Sequence, residues 1–171
     1  KIIAQRGIQW PMRAGEQTGA ARLYTDGVFQ FADGKAKLLA LEWVDNNEKP
    51  DPDFPFWLNS GRVVEHFHTR TRTGKVGNCN KYSPTAYMEI NTDAAREMGI
   101  EQMDYVRLVS RRGDAVVMAQ LTQRVPYNMV FVPFHFYDCV NRVSLGLLDP
   151  HSRQPAFKQA AVRIEKVDQL E

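Results

Sequence analysis

Cysteine is nearly absent from this chain. Its 171 residues include two, Cys79 and Cys139, with no CxxC pair and no Cys–His spacing of the zinc type. A disulfide framework and a structural zinc site are thereby excluded. Two unpaired thiols point to a reducing compartment, so the cytoplasm is the expected location and the periplasm the alternative. Long apolar runs are missing as well. The most hydrophobic stretch, Met129 to Phe136, is broken by Pro133 and His135 and falls short of the roughly 18 residues that mark a bilayer span, so no membrane span is expected. Charge of one sign is also lacking: 22 Lys and Arg stand against 20 Asp and Glu, a net +2. That balance is too even for a surface-wide attraction to an anionic partner. Lys1 to Arg6 shows neither an initiator Met nor the apolar core of a signal peptide, so the chain is expected to be processed or cut from something longer.

What remains is ordinary in amount and informative in arrangement. Hydrophobic residues are 43% and charged residues 25%, the balance of a soluble globular protein. The length suits one domain with an extension. Residues 1–44 mix Gly and polar residues with short apolar alternations, such as Val28 to Phe31 before the turn Ala32-Asp33-Gly34-Lys35, and read as a hairpin or arm continuing from a preceding domain. Residues 45–55 hold four acids, one Lys and three prolines. Proline removes backbone donors and keeps its predecessor extended, so this is a solvated connector. From Phe56 to the end, residues 56–171, strands dominate: Ala86 to Ile90, Tyr105 to Val109, Ala115 to Leu121, Met129 to Phe134 and Gln159 to Val167. One helix is expected over Asp93 to Met98, capped by Thr92 or Asp93 and stopped by Gly99. Several strands with one or two short helices predict a mainly β, closed or nearly closed barrel.

The chemistry concentrates between Ser60 and Lys81. Five basic residues, Arg62, Arg70, Arg72, Lys75 and Lys81, face a single acid, Glu65, among hydroxyls at Ser60, Thr69, Thr71 and Thr73. Glycines for close backbone approach, fixed cations and small hydroxyls suit a phosphate or another oxyanion. A solvated basic loop fits the same composition. His66 and His68 share one face if this segment is a strand, but no third ligand stands at a metal-site spacing. Neither a metal site nor a catalytic triad is expected. A second cluster runs from Val132 to Arg142; its aromatics belong first to the core, with His135 and Asn141 as polar groups at a strand end. A basic strip with aromatics can bind single-stranded nucleic acid, but the near-neutral charge and the confinement of cations to one loop argue against a nucleic-acid partner.

The runs NSGRVVEHFHTRTRTGK, INTDAAREMGIEQMDYVRLVSRRGDAVVMAQLT and VFVPFHF, then Asn141 and LDPHSRQPAFKQAAVRIEKV, together resemble the C-terminal molybdopterin-dinucleotide-binding domain of the dimethyl sulfoxide reductase family, in order and over roughly residues 54 to 168. The resemblance implies a double-psi β-barrel and a molybdopterin guanine dinucleotide cofactor, present as bis-MGD with molybdenum in the full enzyme. By position it assigns Ser60, Gly61, Arg62, Val63, Glu65, His66, His68 and Thr69 to the loop that grips the dinucleotide. It adds Asn141 and Lys158 as further contacts and puts Phe134 at the active-site approach. One departure stands out: the place before Asp104, commonly Gly in the family, is Met103. Residues 18–44 resemble the segment preceding this domain in assimilatory nitrate reductases and some formate dehydrogenases. The expected function is therefore to hold the cofactor of a molybdenum oxidoreductase acting on an oxyanion such as nitrate. A formate dehydrogenase or a non-catalytic structural barrel are the alternatives. Molybdenum and iron–sulfur ligands would come from the remaining domains of a catalytic subunit served by an electron-donor protein, so the isolated chain is expected to be inactive.

Overall fold

A computed structural model describes residues 2–45 and 48–167. The chain divides into two compact units, Lys1–Asp45 and Asn46–Glu171. The first contains neither helix nor strand in its described residues. The hairpin expected after Val28 is a turn closed by two backbone bonds, Phe29 N–H to Gly34 O and Gly34 N–H to Phe31 O, both 2.8 Å, with Tyr24 stacked on Phe29.

The second unit holds six strands: β1 Phe56–Gly61, β2 Tyr87–Asn91, β3 Tyr105–Val109, β4 Asp114–Thr122, β5 Met129–Pro133 and β6 Gln159–Lys166. Three short helices accompany them, α1 Gly77–Tyr82, α2 Thr92–Glu97 and α3 Tyr137–Val143, with a 3-10 turn at Thr73–Lys75. The strands close into a barrel in the order β1-β5-β2-β4-β3-β6. The pairs β1/β5 and β2/β4 are parallel and the other four antiparallel. A two-fold exchange of β1 with β4, β2 with β5 and β3 with β6 maps this pairing onto itself, so the barrel is two ββαβ halves, with α2 and α3 in equivalent places. This is the double-psi barrel that the resemblance implies.

Inward positions alternate along each strand, as a closed sheet requires. Leu58, Met88, Ile90, Val106, Leu108, Val117, Val130, Val132 and Val162 fill the interior. Helix α2 starts one residue earlier than expected, because the Asn91 side chain, rather than Thr92 or Asp93, accepts the Asp93 N–H at 2.9 Å. It stops at Gly99, whose φ of 64° only glycine adopts without strain. Asn141, expected at a strand end, lies instead on α3, which buries Val140 and Val143 on one face at helical spacing. Strand β1 has no turn signal to separate it from the basic segment, and it went unresolved in the sequence. No described helix is long and apolar enough to cross a membrane.

Candidate functional site

Strands β1 and β5 run parallel and end side by side, Gly61 opposite Pro133. Each therefore delivers its following segment to the same end of the barrel: β1 the basic loop, β5 the turn into α3. Between them, roofed by the chain entering β6, lies a cleft of about 750 Å³. Ser60, Arg62, His68, Thr69, Phe134, Asn141 and Lys158 all line it, together with Tyr137, Ser144 and Phe157. No Asp or Glu is among the lining residues.

Lys158 anchors the cation side. Its ammonium donates to the Ser60 carbonyl at 3.2 Å and sits 5.8 Å from the Phe134 ring centre and 5.3 Å from that of Phe157. The Arg62 guanidinium lies 5.8 Å from the Phe134 centroid on an exposed stem. Two cations lie by one aromatic ring in a cleft whose lining has no Asp or Glu to neutralise them, an arrangement that favours an anion with a flat apolar part. Ser60 contributes less than expected, because its buried hydroxyl donates to the Phe157 carbonyl at 2.7 Å and so locks β1 to the approach to β6.

Four of the sequence-assigned residues lie outside the cleft lining: Gly61, Val63, Glu65 and His66. At Gly61 an added Cβ would come within 2.6 Å of the Phe131 ring, so any larger residue would have to push that ring aside. His66 and His68 do not share a face, since the segment is a loop rather than a strand. His68 takes a left-handed φ of 45° and Arg70 one of 64°, turning the chain between them. Each such residue costs about 1–2 kcal/mol, and side chains hold the loop against that cost. His66 points inward, Nε2 to the Ser83 carbonyl at 2.7 Å and Nδ1 to the Thr73 hydroxyl at 3.2 Å. Arg70 donates to Asn80 Oδ1 at 3.0 Å and lies 4.4 Å over Phe136.

His135, expected as a polar group at a strand end, follows β5 as expected, and the structure shows what its ring binds. Fully buried beneath the loop, its ring bonds to Val63 at 3.0 Å and to the His68 carbonyl at 2.6 Å. No sequence signal marks it, because both partners are backbone. On α3, burial pushes the Cys139 thiol up to about 11, away from the reactive thiolate form. Among the described residues no cluster of His, Cys, Asp and Glu could hold a metal ion.

The family described as "Molydopterin dinucleotide binding domain" matches residues 56–161. The F420-dependent formate dehydrogenase subunit alpha of Methanocaldococcus jannaschii is 35% identical over 162 residues, covering 94% of this chain and 24% of that protein. The chain thus spans about a quarter of the length of the curated relative it matches. Among solved structures, acetylene hydratase from Pelobacter acetylenicus aligns with a TM-score of 0.58 at 13% identity, over 67% of this chain and 18% of that one. At that identity the likeness is one of fold.

Proposed function

This chain belongs to the molybdopterin dinucleotide-binding domain family, and from that premise we propose that the acid-free cleft at the ends of β1 and β5 is where its barrel holds the dinucleotide. The cofactor is molybdopterin guanine dinucleotide. The observation that carries the assignment is the convergence of Arg62, His68, Thr69, Asn141 and Lys158 on one cleft whose lining has no carboxylate. The donor set fits the ligand: Arg62 and Lys158 would neutralise its phosphates, Thr69, His68 and Asn141 would orient its polar edges, and the faces of Phe134, Tyr137 and Phe157 would cover its flat rings. When bound in the complete protein, the cofactor supplies two-electron chemistry at molybdenum, while these residues bind and orient it. None of them is assigned a catalytic role. The molybdenum and iron–sulfur ligands belong, in this reading, to the rest of a catalytic subunit with its electron donor.

Formate is the better-supported substrate, because the relative at 35% identity over nearly the whole chain is a formate dehydrogenase subunit. Nitrate is the second reading, favoured by the likeness of residues 22–36 and of His68 to Lys75 to the assimilatory nitrate branch. Formate oxidation and nitrate reduction by the complete holoprotein separate the two. For the site, Arg62→Ala and Lys158→Ala should each lower dinucleotide retention about tenfold or more, since a bond to a charged group contributes about 1.5–3 kcal/mol. Retention is read as pterin and metal content after gel filtration. Unchanged content in both variants would place the grip elsewhere.

A further inference from the structure

His135 is 0% exposed at the junction of β5 and α3, and the loop after β1 engages both its ring nitrogens. The Val63 N–H donates to Nε2 at 3.0 Å, and Nδ1–H donates to the His68 carbonyl at 2.6 Å. Only one protonation state allows both bonds. Nε2 needs its lone pair to accept a backbone N–H, and Nδ1 needs its hydrogen to face a carbonyl, so the ring is the neutral Nδ1–H form. Between the two anchors Val64 is 96% and Phe67 61% exposed, and the one buried residue, His66, is held by polar bonds to Ser83 and Thr73. Apolar packing therefore does little to hold the loop there. Beyond the second anchor, His68 itself is in the left-handed conformation, which persists only where the surroundings fix it.

Resting on the reading of the cleft given above, we infer that His135 is the positioning residue of the dinucleotide loop: without touching the ligand, it ties Val63 and His68 to the barrel and so sets the spacing at which Arg62, His68 and Thr69 line the cleft with Asn141 and Lys158. The ring is not itself part of the cleft lining. Protonation at Nε2 would set two donors against each other and release Val63. Burial, then the charges of His66 and Arg62, hold the ring below the ordinary histidine value of 6.5, and the bond to the His68 carbonyl opposes them. His66 lies 5.9 Å away ring to ring, and just past the end of β5 the neighbour is the uncharged Phe134 ring at 4.6 Å. A folded value below the free one means the contribution is complete above pH 6.5 and is lost as pH falls through the lowered value.

The test measures the rate at which the complete holoprotein loses pterin, nucleotide and metal between about pH 8 and about pH 5. In the wild type, loss should accelerate below pH 6.5. His135→Phe keeps a ring but neither bond, and should lose the dinucleotide about tenfold faster than wild type above pH 6.5, the equivalent of one ordinary hydrogen bond, with the gap narrowing as pH falls. His135→Gln carries an acceptor and a donor on one planar group that does not titrate. It should retain the dinucleotide nearly as well as wild type at high pH and lack the acid inflection. A purely structural role would not move that inflection. Wild-type loss rates in His135→Phe, or an acid inflection kept in His135→Gln, would overturn the inference. If His135→Phe fails to fold, His135→Gln decides alone. Arg62→Ala run alongside separates the two claims: unchanged retention there condemns the cleft assignment, whereas faster loss there with an indifferent His135 condemns only the positioning role.

Discussion

A side chain in the left-handed region crowds its Cβ against the following carbonyl, at about 1–2 kcal/mol. Met103 accepts this cost with φ 75° in the turn before β3. It regains little, because 57% of it is exposed. Its N–H closes the turn on the Ala119 carbonyl at 3.0 Å, so the conformation is fixed by the backbone and would survive a change of side chain. Met103→Gly should therefore stabilise the barrel by about 0.5–1 kcal/mol, the steric relief less the extra chain entropy of glycine, read as a higher melting temperature with unchanged cooperativity. At this scale the structure brings Arg62, Thr69, Asn141 and Lys158, which the resemblance singled out, to one cleft. Their place follows from family order, because residue type and position in the motif are both visible in a sequence. Ser60 and His135 were not readable in this way, because each uses its polar atoms on backbone far away in sequence, Ser60 on Phe157 and His135 on Val63 and His68.

Elements were legible where they have a period. Strands β3, β4, β5 and β6 and helix α2 alternate or repeat plainly, whereas β1 runs into a basic loop and α3 is masked by an aromatic run. The connector is a further case, since Pro and acids read as solvated and part of it is fastened. Glu48, its side chain 10% exposed, accepts two bonds from Arg112, at 2.6 and 3.0 Å, and one from the Ala161 N–H of β6 at 2.6 Å. Arg111, from the same β3–β4 turn, pairs with Asp51 and lies 4.4 Å over Phe54. Burial alone would raise the Glu48 carboxyl, but these bonds and the charges of Arg112 and Arg111 outweigh it and hold the group below 4.5. The clasp is thus complete above pH 4.5 and is lost as pH falls through the lowered value. Glu48→Gln should cost about 2 kcal/mol near neutrality, because it weakens bonds to a charged group, and should remove part of the acid-induced loss of stability. Chemical denaturation of both forms at neutral pH and near pH 4.5 checks this.

At the scale of the whole barrel, the order β1-β5-β2-β4-β3-β6 alternates strictly between the two halves, so every strand pairs only with strands of the other half. Neither half can build a sheet alone. The strand count and the resemblance made a closed barrel foreseeable, but only the β3/β4 hairpin is local, and every other pairing joins segments remote in sequence, so the interleaving as a whole has no local signal. The cleft shares the dependence: Ser60, Arg62, His68 and Thr69 come from the first half, and Phe134, Asn141 and Lys158 from the second. Sheet and site should therefore appear together. Severing the chain within the β3–β4 turn, after Arg112, leaves fragments 1–112 and 113–171, each with three of the barrel's strands and none of its strand pairs. Each alone should show no cooperative transition and no protected amides. An equimolar mixture should recover both, with a midpoint that rises with concentration because association replaces the severed connection. A fragment that melted cooperatively by itself would mean that its three strands pair among themselves, and the interleaved order could not then be the source of the barrel's cooperativity.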